Sequence, residues 1–121
     1  MYEDIYNKII EYLKENSGVF HSIISKGKNP TYYEVEVNNN DIYISTPNNT
    51  TKPTKVNEKL NKSDFYKIYP LFLEYLAAAK HNVDIINKDA LLKLNNESQT
   101  ISGRRIYWIG LFFELTKRGV I

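Results

Sequence analysis

Two adjacent arginines near the end of the chain, Arg104 and Arg105, have the side chains best suited to chemistry with anions. A guanidinium group donates several hydrogen bonds in one plane and matches the oxygens of a phosphate or the edge of a guanine base. Tyr107 follows closely and could pack on a sugar or a base. Lys117 and Arg118 form a second basic pair, roughly 20 Å further along a helix that rises 1.5 Å per residue. These residue types predict contacts with a nucleic acid.

Residue types that build catalytic and metal centres are scarce. The chain has no cysteine, and its two histidines, His21 and His81, fit no zinc-ligand spacing. Its five glycines are scattered, so the sequence has no glycine loop for phosphates. Glu34, Glu36 and Asp41 could bind a divalent ion across a hairpin, but carboxylates on the water-facing side of a strand are usually only solubilising. The sequence therefore predicts no catalytic residue, no metal site and no cofactor.

Length and composition predict one domain over residues 1–121. The chain is large enough for one hydrophobic core, and its 42% of apolar and 25% of charged residues are ordinary for a globular protein. No apolar run approaches the roughly 18 residues of a transmembrane helix, and the N-terminus is acidic where a signal peptide would be basic. The lack of cysteine suits a reducing compartment. We therefore expect a cytoplasmic protein that does not bind membranes.

Positive charge is concentrated in the second part of the chain. Residues 1–46 contain seven acids and four lysines, whereas residues 47–121 contain seven acids and twelve lysines or arginines. Residues 47–62 lack a clear hydrophobic period and hold four lysines against one glutamate, which predicts a basic loop. Such a loop is either a solvated connector or a flexible contact to a phosphate backbone. The candidate contacts in it are Lys52, Lys55 and Lys59.

Hydrophobic periods predict an α+β fold. Apolar residues at helical spacing indicate an amphipathic helix over residues 3–16. Three segments rich in β-branched and aromatic residues follow it, and turn residues separate them, which predicts a three-stranded antiparallel meander. In the second strand, Tyr33, Val35 and Val37 alternate with polar or exposed positions, so one face should meet the core and the helix should cover it. The predicted strands span residues 19–25, 32–37 and 42–46.

The remaining part, residues 63–121, is predicted to be helical. A helix begins near Ser63, a short helix begins near Asn87, a turn spans residues 95–100, and a last helix spans residues 102–118. On a helical wheel the apolar arc of the last helix covers roughly 220°, so most of its circumference should be buried. The apolar residues of this arc are Ile106, Trp108, Ile109, Leu111, Phe112, Phe113 and Leu115. The narrow strip left for a partner contains Tyr107, Gly110, Glu114, Lys117 and Arg118.

The short helix, the turn and the last helix resemble a winged helix-turn-helix domain of bacterial DNA-binding proteins. Leu91, Leu92 and Leu94 match the short helix of that family, Ser102 matches the start of its recognition helix, and residues 115–121 match its end. The resemblance covers about 35 residues and implies a DNA-binding helix-turn-helix pair.

A weaker likeness spans most of the chain. A strand with Phe20, the hairpin strand of residues 32–37, the start of the helix at residues 62–66 and residues 102–109 are similar to small accessory domains that precede nucleases in some bacterial restriction-type proteins. That likeness implies a DNA-recognition module without a nuclease.

Two functions therefore remain open. The first is a non-catalytic module that binds nucleic acid, with DNA as the expected partner. The second is a small phage or mobile-element protein that docks on another protein, or on its own copy, as an inhibitor or adaptor. Tyr32, Tyr43 and Tyr66 are the candidate contacts of this second function. Arg104 and Arg105 also have a purely structural interpretation, in which they form ion pairs within the chain with Asp84, Asp89 or Glu97.

Overall fold

Over residues 2–23, 29–45 and 57–121, one antiparallel sheet and four helices form the α+β fold that the sequence predicts. A computed structural model describes residues 2–23, 29–45 and 57–121. The elements are α1 (Glu3–Glu15), β1 (Gly18–His21), β2 (Tyr32–Asn38), β3 (Asp41–Ser45), β4 (Asn57–Leu60), α2 (Lys62–Ala78), α3 (Lys88–Ser98) and α4 (Arg105–Lys117).

The described sheet has four strands, not the three predicted, in the order β1-β2-β3-β4. Strand β4 occupies the end of the segment predicted as a basic loop, so that prediction is wrong for residues 57–60. This strand has no recognisable hydrophobic pattern, because its middle residues, Glu58 and Lys59, are charged. Of Glu58, Lys59 and Leu60, Leu60 is the buried residue, and it lies opposite Ile42 of β3. Lys52 and Lys55 lie outside the described residues.

One face of the sheet forms half of the core. Val35 lies opposite Ile44, Phe20 lies opposite Tyr33, and all four side chains are buried. Strand alternation places Val37 on this same face and Tyr32, Glu34 and Glu36 on the other face, as the sequence predicts.

Two helices pack directly on this buried face, and the other two pack behind them. α1 packs on β2 and α4 packs on β1, while α2 lies against α4 and α3 lies against α2. α1 ends at Glu15, one residue before its predicted end. α3 continues to Ser98, so the turn predicted from residue 95 is wrong over residues 95–98. The Ser98 hydroxyl donates to the Leu94 carbonyl at 2.7 Å and is buried, which lets a polar residue remain inside the helix.

α4 is the central helix, and Gly110 determines how closely it approaches the sheet. Gly110 is buried, and a β-carbon at this position would overlap the backbone carbonyl of His21 and the hydroxyl of Tyr33. The sequence places Gly110 on the strip that faces a partner, and this prediction is wrong because the glycine is the contact with β1. The predicted apolar arc is confirmed, since six of its seven residues are buried and Ile106 is partly exposed.

Candidate nucleic-acid interface

α2 and α4 run parallel, so both helices begin at the same end of the molecule. The rings of Phe65 and Trp108, each the fourth residue of its helix, have centroids 5.5 Å apart. Further along, Phe72 and Tyr75 of α2 contact Phe113 of α4 at 5.4 and 5.0 Å. We call the surface formed by residues 61–65 and 102–108 the helix-start end.

The N-cap residues at this end do not cap their helices with their own side chains, but the Ser102 hydroxyl accepts from the backbone N–H of Arg104 at 3.0 Å. Asn61 before α2 and Arg104 before α4 make no side-chain capping hydrogen bond. By contrast, the Asn87 side chain accepts from the backbone N–H of Ala90 at 3.0 Å and caps α3. The first turn of a helix exposes backbone N–H groups and the positive end of its dipole. The first turn of α2 carries the acid Asp64, whereas that of α4 carries no acid, so the start of α4 favours an anion more than the start of α2 does.

Arg104 lies at this end and pairs with Glu58 of β4. Its Nε donates to Oε2 of Glu58 at 2.8 Å, and the side chains are 41% and 38% exposed. The partner differs from Asp84, Asp89 and Glu97, the acids considered from sequence. An ion pair this exposed contributes about 0–1 kcal/mol, so an incoming phosphate can replace the carboxylate at little cost.

Arg105 differs from Arg104 because its Nε is buried without a partner. Among the described residues, three buried side-chain polar atoms have no hydrogen-bond partner, and two of them belong to Arg105 and Trp108 in the first turn of α4. Leaving a buried donor unsatisfied costs about 1–3 kcal/mol. The first turn of α4 therefore contains two buried side-chain donors without an acceptor among the described residues.

Tyr107 contributes mainly to packing. Its ring lies edge-on to Tyr33, with centroids 4.9 Å apart, and its backbone carbonyl accepts from the Tyr33 hydroxyl at 2.7 Å. Burial raises the pKa of the Tyr107 phenol, and the nearby carboxylate of Glu58 raises it further. Because the side chain remains partly exposed, it forms part of the helix-start end.

Lys117 and Arg118 lie at the opposite end of α4 and do not join Arg104 and Arg105. Arg118 donates to Glu114 at 2.8 Å and to the Tyr12 hydroxyl at 3.0 Å, and these hydrogen bonds raise the pKa of its guanidinium. Lys117 is exposed. A ligand that contacts both ends must span the whole helix.

Lys59 also points away from the helix-start end. Strand alternation puts it on the opposite face of β4 from Glu58, where its ammonium lies 3.4 Å from Asp41. It therefore belongs to the other surface of the sheet.

That other surface is open to solvent in the described structure. Val19 and Tyr32 are 56% and 53% exposed, and the other two exposed large apolar side chains among the described residues, Ile85 and Leu92, lie elsewhere. Two exposed carboxylates and a partly exposed tyrosine accompany them on the same face. We call this surface the open sheet face, and its residues are Val19, Tyr32, Glu34, Glu36, Tyr43 and Lys59.

Tyr66 does not belong to the open sheet face, although the sequence groups it with Tyr32 and Tyr43. It lies on α2, and its hydroxyl donates to the carboxylate of Glu3. Lys62 donates to the same carboxylate at 2.9 Å, and the hydrogen bonds from Lys62 and Tyr66 lower the pKa of Glu3. The ammonium of Lys62 also lies 4.8 Å from the Tyr6 ring centroid. This cluster ties α1 to α2, and no sequence pattern indicates contacts between residues so far apart.

The described residues were compared with the requirements of a metal site and of a membrane span. They contain no group of three or more histidine or acidic side chains that could hold a metal ion. The helices of this part of the chain are too short or too polar to cross a membrane. Comparison with known proteins found no matching family model, no similar curated protein and no similar solved structure. The geometry of the helix-start end is therefore the basis for a functional conclusion.

Proposed function

We propose that the protein is a non-catalytic domain that binds nucleic acid, with DNA as the expected partner, through the phosphate backbone. The parallel packing of α2 and α4 supports this proposal, because it joins two helix starts to Arg104 and Arg105. Backbone N–H groups at helix starts and arginine side chains are common donors to phosphate oxygens.

The mode of binding follows from the burial of α4. Seven of its thirteen residues are buried, and the helix lies between β1 and α2. A recognition helix must present its length to a groove, whereas α4 is accessible only near its two ends. Binding therefore uses the start of the helix against the backbone. The resemblance to winged helix-turn-helix domains stays a prediction.

Glu58 has a definite role in this proposal. It occupies Arg104 in the free protein, and a phosphate takes its place in the complex. The proposed contacts are between cations of the protein and phosphates of the nucleic acid. The affinity for nucleic acid therefore depends on electrostatics and falls as the salt concentration rises.

The test is fluorescence anisotropy of labelled single-stranded and duplex DNA at low salt. We compare the wild type with the double variant Arg104→Gln/Arg105→Gln and with a control, Lys80→Gln/Lys117→Gln, which removes two exposed cations at the other ends of α2 and α4. The first variant should bind at least tenfold more weakly, whereas the control should lose much less. The proposal is contradicted if the wild type binds neither single-stranded nor duplex DNA, or if both variants lose the same amount of DNA affinity.

The exposed Val19 and Tyr32 favour a second candidate, a protein adaptor or inhibitor that docks through the open sheet face. Exposed aromatic side chains are enriched at protein interfaces. Such an interface should change little between low and moderate salt, unlike a phosphate contact.

A further inference from the structure

A cleft lies between α1, the turn that joins β2 to β3, and the first residue of α2. Its volume of about 530 Å³ falls within the range of roughly 300–1,000 Å³ of small-molecule sites. Among the described residues that line this cleft, only Ile10 has a purely aliphatic side chain. The cleft is therefore suited to a polar ligand.

The phenol of Tyr6 opens into this cleft, although the residue is only 3% exposed. Burial raises the pKa of the phenol, the carboxylate of Asp41 raises it further, and the ammonium of Lys62 lowers it. Because Asp41 and Lys62 both line the cleft, the hydroxyl lies beside it. The hydroxyl forms no hydrogen bond with the described residues, and its oxygen is not enclosed in the core. A phenol in this position is a free donor and acceptor for a ligand.

The charged groups of the cleft are paired with one another or with a close neighbour. Three ion pairs border the cleft at N–O distances of 2.9, 3.3 and 3.4 Å, namely Lys62–Glu3, Lys14–Glu11 and Lys59–Asp41. An ion in the cleft would be attracted by one member of each pair and repelled by the other. The arrangement therefore favours a ligand without net charge.

Three amides supply further polar groups, from Asn7 of α1 and from Asn39 and Asn40 of the turn. Asn39 and Asn40 have φ angles of 52° and 63°, which are typical of a tight two-residue hairpin turn. Each amide offers donors and an acceptor. Since a hydroxyl group also donates and accepts, the amides and the phenol match several hydroxyl groups at once.

We propose that this cleft binds a neutral, hydroxyl-rich small molecule of the sugar class, through the Tyr6 phenol and the amides of Asn7, Asn39 and Asn40. The arginines of the helix-start end do not line the cleft, so the site goes beyond the nucleic-acid function and does not depend on it. Three carboxylates line the cleft against two ammonium groups, which disfavours a phosphate there.

The experiment titrates glucose, galactose and ribose separately into isotope-labelled protein and follows the amide signals by NMR. At least one of these neutral sugars should shift the signals of Asn7, Asn39 and Asn40 in a saturable way. Glucuronate and glucosamine, at a pH where both are ionised, should bind more weakly than the tightest neutral sugar. The proposal is overturned if no neutral sugar gives saturable shifts, if the shifts lie elsewhere, or if a charged derivative binds more tightly.

Matched variants locate the binding. Tyr6→Phe removes the hydroxyl and keeps the ring, so the Kd for the sugar should rise about fivefold. Tyr12→Phe removes a hydroxyl from the same helix that accepts from Arg118 outside the cleft, so it should leave the Kd within about twofold. Equal Kd values in these two variants would overturn the site.

Asn40→Gly is a second test that keeps the turn. Glycine adopts a positive φ without strain, so this variant should remain as stable as the wild type while it loses one amide of the cleft. Its Kd for the sugar should rise several-fold. If Tyr6→Phe does not fold, this variant decides alone, and an unchanged Kd in it would contradict the proposal.

Discussion

The helix-start end and the open sheet face are two exposed surfaces of one small domain with opposite electrostatic character. The first combines Arg104 and Arg105 with two helix starts. The second combines exposed Val19 and Tyr32 with the carboxylates Glu34 and Glu36. We expect an anion to prefer the first surface, where the two arginines lie, whereas the second surface offers more exposed apolar area.

This difference shows that net charge is a poor guide to function in this protein. The total charge is only +2, but backbone dipoles and arginines reinforce each other at the helix-start end. Many of the other charged side chains form exposed pairs, such as Lys59 with Asp41 and Lys62 with Glu3, which contribute little to recognition of an anion.

The largest expected effect comes from Gly110, which sets the position of α4 and hence of the helix-start end. In Gly110→Ala the new β-carbon overlaps the His21 carbonyl, so α4 must move away from β1. We expect a loss of about 3 kcal/mol in the free energy of unfolding, measured by urea denaturation. Gly18→Ala is the matched control on β1, because a β-carbon there has no atom within 4 Å. Equal stability of the two variants would refute the close contact between α4 and β1.

A second effect concerns Tyr33, which joins the sheet to the start of α4. Burial raises the pKa of its phenol far above the usual value of 10.0. The unfolded chain therefore loses this proton first, so the stabilisation is complete below pH 10 and declines as the pH rises above it, by about 1.4 kcal/mol per pH unit.

The measurement is the free energy of unfolding between pH 8 and pH 11 for the wild type and Tyr33→Phe. The variant should be about 1–2 kcal/mol less stable at pH 8, because the hydrogen bond to the Tyr107 carbonyl is lost. It should also show a shallower decline at high pH. Parallel pH profiles would mean that Tyr33 ionises as easily in the folded protein as in the unfolded chain.

A smaller effect is expected from Glu58→Gln. This change frees Arg104 and removes an acid next to the helix-start end. The lost ion pair contributes about 0–1 kcal/mol, so the DNA affinity at low salt should rise on the order of threefold. Glu36→Gln removes the same charge from the open sheet face and should change the affinity less. If Glu58→Gln weakens binding, Glu58 is not a competitor of phosphate.

The smallest effect is expected on the open sheet face. Tyr32→Ala should change the free energy of unfolding by less than about 0.5 kcal/mol in denaturation experiments, because the side chain is more than half exposed. Its DNA affinity should stay at the wild-type value. A clear loss of DNA binding in this variant would remove the distinction between the two surfaces.

The sequence predicts the elements well where one strong period decides them. The amphipathic α1, the alternation of β2 and the burial of Trp108 and Phe112 all follow from spacing, and the structure confirms them. Strand β4 could not be predicted in this way, because it is four residues long and two of them are charged.

The arrangement of the candidate site could not be predicted, because it depends on contacts between distant parts of the chain. The sequence identifies Arg104 and Arg105 but neither the parallel start of α2 nor the Glu58 partner, 46 residues away. Gly110 was assigned to the exposed strip because a helical wheel shows where apolar side chains lie and does not show which neighbour approaches the backbone.

The most direct test of the central claim is the salt dependence of DNA binding by the wild type and by Arg104→Gln/Arg105→Gln. The logarithm of the wild-type association constant should fall linearly with the logarithm of the salt concentration. The variant should show a slope smaller by about 1.4–1.8, the value for two phosphate contacts. A wild-type affinity that does not change with salt, or identical slopes in the two proteins, would contradict phosphate recognition at the helix-start end.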